Sequence, residues 1–430
     1  MEGPKCVPDL STKIKLLLET ITARRPATSY VALALLLDDD DSPLVVVLPD
    51  GRRLCQSQLY LEAIGCDPDG QQCGAANAAK AYFGLGLSIY DKLLTLLLPD
   101  GRVLNKQQLF LEVLRVDDKH CQAYLCIASG MLDHEIISLP DGRVFSKCEF
   151  YSEALYCTEN LSYRAVAFLG LARLAQDGHR NIVGLYNRNW NSKQLFLEVL
   201  RCDPDAHISF HAYFRLGSLL YSDPYGTTKL PDGRILNQFQ FFLETIRCNS
   251  RHWPVYHCLA HHLSQDDCDE KTVMLPDGRT LDRRQLILEG IQHYTQFYRL
   301  ESPTLVDPEG WINIFYTTLA RTLANGENVT LHNGTTLDKV GLLLEVHRIH
   351  PDDKRAKRTL FQSIPDQTPW RRPHHALIFG AKCNLLFATL LLGLQRLEGE
   401  RIVQAAHHSM LEDMLECWTW SDCHHEAKTQ

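Results

Sequence analysis

Apolar and small residues return at intervals of three and four along much of this 430-residue chain. Positions i, i+3, i+4 and i+7 share one face of a helix, so each such set predicts an amphipathic helix. Tyr30, Leu33, Ala34 and Leu37 form the first. The pattern returns as Tyr82, Leu85, Gly86, Ile89; Tyr124, Ile127, Ala128, Met131; and Phe168, Leu171, Ala172, Ala175. It continues as Tyr213, Leu216, Gly217, Leu220; Tyr256, Leu259, Ala260, Leu263; and Tyr316, Leu319, Ala320, Leu323. The third member is always Gly or Ala, which lets a neighbouring helix approach closely. A second helical stretch accompanies each first one, as in QLFLEVLRCDP from Gln194 to Pro204, where Leu195, Val199 and Cys202 alternate with Leu197 and Leu200. Proline cannot continue that helix and restrains the residue before it.

Between the two helices runs a short β-prone segment centred on LPDGR, found at Leu48, Leu98, Leu139, Leu230 and Leu275. Altered copies, LYNRNW at Leu185 and LHNGTTL at Leu331, bring the number to seven, at spacings of 50, 41, 46, 45, 45 and 56 residues. A unit of about 45 residues repeated in this way predicts a solenoid. Pro sets φ for the second residue of a type I turn, Asp suits the third, and Gly takes positive φ as a bulge that closes a β-hairpin. The turn residues are Pro49, Asp50, Gly51; Pro99, Asp100, Gly101; Pro140, Asp141, Gly142; Pro231, Asp232, Gly233; and Pro276, Asp277, Gly278. The seventh copy keeps the turn chemistry with His332, Asn333 and Gly334. In the fourth, Arg188 stands where Gly belongs and one residue is missing, which predicts the most distorted hairpin.

These elements give a mainly α fold, an α-solenoid of about seven stacked helix–hairpin–helix repeats. Residues 1–350 form the repeat array and residues 351–430 a helical C-terminal cap or docking segment. Residues 11–24 read as a lone second-type helix that opens the stack, with Ser11 as its N-cap. Phe196, Leu200 and Pro204, followed by Tyr213, Leu216, Gly217 and Leu220, resemble the signature of the tetratricopeptide repeat across a junction of its second and first helices. The resemblance spans roughly residues 11–350. It implies a right-handed superhelix whose concave face binds peptides or helices. The chain departs from that family in placing the LPDG hairpin where the family has a tight turn.

Net charge is −8, with pI near 6.2, an acidic balance unlike that of a general nucleic-acid or anionic-membrane binder. No uncharged apolar run reaches membrane-spanning length, and the N-terminus does not read as a secretory signal. The 15 cysteines are scattered, which points to free thiols in a reducing compartment and a cytoplasmic location. In that setting the sequons at Asn160, Asn328 and Asn333 are chance matches.

Candidate chemistry is sparse. His257 and His261 share a helix face within HCLAHH, beside Cys258 and His262, but no glutamate follows the first His as in a zinc-protease motif. Cys417, Cys423, His424 and His425 have unusual zinc spacing at a chain end. Neither cluster is read as a metal site, no phosphate loop or nucleophile elbow occurs, and no cofactor is expected. A glutamate recurs in the second helix at Glu19, Glu62, Glu112, Glu153, Glu198, Glu244, Glu289 and Glu345, read as an anchor for a backbone amide or an Arg of the stack. The arginines after the turns (Arg52, Arg102, Arg143, Arg234 and Arg279) are candidate rim contacts. Pairing with the Asp of each turn is the alternative and the favoured reading.

The sequence therefore reads as a non-enzymatic scaffold or adaptor whose partners are other proteins or peptides, without nucleic acid or membrane. A second reading is a substrate-recruiting adaptor of a ubiquitin ligase. It rests on the final helices, about Ala376 to Leu397 and Glu400 to Trp418, which resemble the docking tails of F-box or SOCS-box adaptors.

Overall fold

The computed structural model describes residues 10–349 except 25, 38–44, 72–73, 90–93, 178–181, 186–187, 203–207, 222, 224–225, 265–270, 302–309 and 325. The expectations for residues 351–430, including the final helices and the Cys417–His425 cluster, lie outside the described residues. The chain divides into two compact units, Met1–Leu281 and Asp282–Gln430.

The first unit opens with α1 (Leu10–Arg24), which places Ser11 inside the first turn rather than at the cap. Five repeats of first helix, hairpin and second helix follow. They are α2 (Ala27–Leu36), β1 (Val46–Val47), β2 (Arg53–Leu54), α3 (Gln56–Cys66); α4 (Ala75–Ser88), β3 (Thr95–Leu97), β4 (Val103–Asn105), α5 (Lys106–Val116); and α6 (Cys121–Gly130), β5 (Ile136–Ser138), β6 (Val144–Ser146), α7 (Lys147–Cys157). Next come α8 (Leu161–Asp177), β7 (Ile182–Leu185), β8 (Arg188–Trp190), α9 (Ser192–Cys202); and α10 (Ser209–Leu219), β9 (Thr227–Lys229), β10 (Ile235–Asn237), α11 (Gln238–Cys248). Helix α12 (Trp253–His262) leads to the hairpin of β11 (Thr272–Met274) and β12 (Thr280–Asp282). Each helix of this unit packs on the next in the chain, and first helices also meet one another, α2 with α4, α6 with α8 and α8 with α10. The second unit holds α13 (Arg283–Glu301), α14 (Trp311–Thr322), β13 (Asn328–Thr330), β14 (Thr336–Asp338) and α15 (Lys339–Ile349). Within it α14 packs on both α13 and α15. The fold is mainly helical, an array of consecutive helix pairs, and every described sheet is a two-stranded hairpin.

The core is repetitive. From the first helices Tyr30, Tyr82, Tyr124, Phe168, Tyr213 and Tyr256 are buried, and the second helices bury adjacent pairs such as Leu109–Phe110, Leu195–Phe196 and Phe241–Phe242. The buried face of α9 is therefore Leu195, Phe196, Val199 and Leu200, while Leu197 and Cys202 are half-buried, a correction to the alternation expected from spacing. Small residues on the first helix make room for these rings. A Cβ on Gly86 would stand 2.5 Å from Cε1 of Phe110, and one on Gly217 2.9 Å from Cε1 of Phe242. Gly84 and Gly170 serve the other flank, against Tyr60 and Tyr151 of the preceding second helices.

Local hydrogen bonds fix where each second helix begins. Asn105 Oδ1 accepts from the Gln108 amide at 2.8 Å, and Gln108 Oε1 accepts from the Asn105 amide at 2.9 Å. Ser146 with Glu149 and Asn237 with Gln240 repeat this reciprocal capping box, and Cys55 with Gln58 forms it around a thiol. The first residue of the second helix then reaches back to the end of the first. Lys106 Nζ donates to the Ile89 carbonyl at 3.0 Å and Gln56 Nε2 to the Ala34 carbonyl at 3.2 Å. These side chains tie the start of the second helix to the end of the first.

Gly86→Ala is expected to destabilise the protein by about 1–3 kcal/mol, because the added methyl group must displace the Phe110 ring. A thermal or urea unfolding midpoint checks this. A midpoint equal to or above that of the unchanged protein, which the better helix propensity of Ala favours, would show that the ring moves aside without cost.

Candidate functional site

Each LPDGR segment occupies a hairpin turn. The Gly51 amide donates to the Leu48 carbonyl at 2.9 Å, the Leu48 amide to the Arg52 carbonyl at 2.7 Å, and Gly51 has φ +86°. The same bonds recur around Pro99–Asp100–Gly101, Pro140–Asp141–Gly142, Pro231–Asp232–Gly233 and Pro276–Asp277–Gly278, and around His332–Asn333–Gly334. The fourth hairpin is irregular: Ile182 pairs with Trp190 and Leu185 with Arg188, so the register shifts between them.

The arginine after each turn folds back onto its own repeat. Its Nε lies 2.7–2.8 Å from the turn Asp in all five copies: Arg52 to Asp50, Arg102 to Asp100, Arg143 to Asp141, Arg234 to Asp232 and Arg279 to Asp277. The other end of the guanidinium reaches the recurrent glutamate of the second helix. Arg52 Nη1 is 2.5 Å from Glu62, Arg102 Nη1 2.7 Å from Glu112, and Arg234 Nη1 2.8 Å from Glu244. Arg143 stands farther from Glu153, at 3.9 Å, and its guanidinium lies over the Phe145 ring, 5.0 Å from the centroid. These arginines also approach the buried tyrosine of the first helix, as Arg102 does to Tyr82 Oη at 3.5 Å and Arg234 to Tyr213 Oη at 3.3 Å. One guanidinium thus ties together the hairpin, the second helix and the first helix.

With or without a hairpin arginine, the glutamate also takes a partner three residues along its own helix: Glu112 with Arg115 at 2.8 Å, Glu198 with Arg201 at 2.7 Å, Glu244 with Arg247 at 2.7 Å and Glu345 with Arg348 at 2.9 Å. The backbone N–H of Arg143 and then its guanidinium hold the Asp141 carboxyl below its ordinary range, and Asp277 is held down by Arg279 in the same order. At Arg52, Arg102 and Arg234 each cation faces two carboxylates, so the hairpin rim is not a basic stripe.

Several of the side chains that the hairpins leave exposed are aliphatic, among exposed polar ones such as Thr95, Ser138 and Lys229. Leu97 (64% exposed) and Val103 (56%) are cross-strand partners, and Ile136, Val144, Ile235 and Met274 are likewise more than half exposed. The alternation of these short strands contained that signal, since buried Leu98 and Leu104 (half-buried) flank exposed Leu97 and Val103.

The first helices carry a different cluster. His211 on α10 and His252 before α12 lie 6.1 Å apart between ring centroids, among Phe210, Phe214 and Trp253. Burial, then Arg173 and Arg215, pushes the His211 imidazole down to about 4. Burial, then His211 and Arg215, pushes His252 down to about 3. At neutral pH both rings are neutral. Of the HCLAHH residues, Cys258 is buried with its thiol pushed up to about 11 by burial, and His262 packs on Phe239 at 5.1 Å. No group of three or more His, Cys, Asp or Glu side chains is placed to hold a metal among the described residues. No helix among them is long and apolar enough to cross a membrane.

The helix pairs define a helical-repeat protein. No protein-family model matches the chain, and no curated protein matches it. Solved structures similar to it include one of the human IFIT1 dimer with PPP-AAAA, at 14% identity over 82% of this chain and 84% of that chain, with a TM-score of 0.30.

Both histidines have folded-state values below the ordinary 6.5, so the unfolded chain binds more protons as pH falls from 6.5 toward 4. Their contribution to stability is complete above that window and is lost on descending through it. Replacing His252 by Phe is expected to flatten the fall in melting temperature between pH 7 and pH 4.5, read by circular dichroism. A slope identical to that of the unchanged protein would rule out His252 as a source of acid sensitivity.

Proposed function

We propose that this protein is a non-enzymatic scaffold that binds other proteins, a tetratricopeptide-like array with an LPDG hairpin inserted in each repeat. The observation that carries the reading is the recurrence of exposed aliphatic side chains on successive hairpins: Leu97, Val103, Ile136, Val144, Ile235 and Met274. Single exposed apolar residues are ordinary, but Val103, Val144 and Ile235 each open the second strand of their hairpin, and apolar side chains repeated at an equivalent position supply the dry contact that a protein partner requires. The hairpin arginines are engaged by carboxylates of their own repeat, which favours apolar contact over phosphate contact along this rim. In this reading residues 1–350 are the binding array, the protein acts in the cytoplasm, and neither nucleic acid nor membrane is its partner. The ligase-adaptor alternative rests on the sequence of residues 351–430.

Replacing Leu97, Val103, Val144 and Ile235 together by Ser is expected to leave the melting temperature within a few degrees while abolishing most protein neighbours found by proximity labelling of the full chain in cells. An unchanged set of neighbours would remove the hairpins from the interaction surface.

A further inference from the structure

The exposed aliphatic residues of the second and third hairpins stand on strands whose outer edges pair with no described residue. In the second hairpin the Leu98 amide donates to the Arg102 carbonyl at 2.8 Å, and the Gly101 amide donates to the Leu98 carbonyl at 3.0 Å. The backbone groups of Leu98 therefore point toward β4. Residues along an antiparallel strand alternate in this direction, so Leu96 faces β4 as well, while Leu97 and Thr95 direct N–H and C=O away from it. The third hairpin has the same bonds at Leu139, Arg143 and Gly142, which turns Ser138 and Ile136 outward. Among the described residues β3 pairs only with β4, and β5 only with β6.

The second strands are less available. The Asn105 and Ser146 amides, opposite Thr95 and Ile136, are taken by the capping boxes, through Gln108 Oε1 at 2.9 Å and Glu149 Oε2 at 2.6 Å. An open edge beside an apolar face is a template for another strand, and proteins commonly blunt such an edge with charge. The fifth hairpin does so, with Lys229 in the place of Leu97 and Ser138. Strands β3 (Thr-Leu-Leu) and β5 (Ile-Ile-Ser) carry no charge. Next to these edges Leu97, Val103, Ile136 and Val144 are each more than half exposed. Backbone donors, backbone acceptors and apolar side chains are thus presented together. A helix has its own backbone groups bonded internally and can use only the side chains, whereas an extended strand uses both.

We propose that β3 and β5 each receive an extended segment of a partner protein as a third strand along the outward edge. Alternate residues of that segment are aliphatic or aromatic, and they pack on Leu97 and Val103 in one hairpin and on Ile136 and Val144 in the other. The inference rests on the protein-binding reading and names the conformation and chemistry of the partner.

The test uses the full chain and a fluorescein-labelled peptide of alternating valine and threonine with lysine at both ends, followed by fluorescence anisotropy. A second peptide of the same sequence has every backbone nitrogen methylated, which keeps the side chains and removes the donors. The unmodified peptide is expected to bind, and the methylated one to bind about tenfold or more weakly. Leu97→Pro and Ser138→Pro together remove the outward N–H of each edge, where a strand tolerates proline. That double variant is expected to keep its melting temperature within a few degrees and to lose affinity by a similar factor. Independently of any variant, hydrogen exchange at the Leu97 and Ser138 amides, read by mass spectrometry, should slow when the peptide binds. Equal affinity of the methylated peptide, or unchanged exchange at both amides, would overturn the proposal. Slow exchange at these amides without peptide, together with a dimer in sedimentation, would also overturn it, by placing a second copy of the chain on the edge. If the proposal is overturned while exchanging Leu97, Val103, Val144 and Ile235 for Ser still removes the cellular neighbours, the strand-addition inference alone fails. If those neighbours are also unaffected by the serine substitutions, the protein-binding reading fails with it.

Discussion

The seating of an aromatic ring of the second helix against a small residue of the first is the constraint on which each repeat depends. Phe110 against Gly86 and Phe242 against Gly217 set how closely the helices of one pair approach. Tyr60 against Gly84 and Tyr151 against Gly170 do the same between one repeat and the next. Because interiors are packed at crystal-like density, the position tolerates Gly or Ala and little else. Hydrophobic burial supplies the driving force, but these notches decide the distance at which it is realised.

A second layer of specification is electrostatic and local. The arginine that closes each hairpin is held by the turn aspartate and, in three repeats, closely by a helix glutamate, so the hairpin is clamped to the helices it separates. Exposed ion pairs of this kind contribute about 0–1 kcal/mol each. Their value lies in orientation: they fix which side of each hairpin turns outward, and hence which aliphatic residues meet solvent. Glu112 and Glu244 also pair with an arginine along their own helices, as Glu198 and Glu345 do in repeats without a hairpin arginine, so the glutamate is engaged in either case.

Much of this organisation could be read from residue spacing, because helix period and turn chemistry are local properties. The first-helix sets, the turns and the irregular fourth hairpin belong to that category. The buried face of α9 did not follow from period alone: 3.6 residues per turn cannot decide whether Leu197 or Phe196 faces inward when both are apolar. The capping boxes stand in the sequence as Asn-x-x-Gln and Ser-x-x-Glu at the start of second helices, a weaker signal than the turns beside them. The Arg173–His211–Arg215–His252 cluster was not legible, since its members lie on separate helices whose proximity is a tertiary fact.

The clamp also bears on how the chain acquires its structure. Arg102 and Glu112 are ten residues apart and Arg102 and Tyr82 twenty, so the ties of a repeat close within its own length. Contacts of such short range lower the contact order and favour rapid folding. A repeat can therefore complete its hairpin and both helices while the ribosome is still adding the next, and each finished pair offers the following one a template on which to condense.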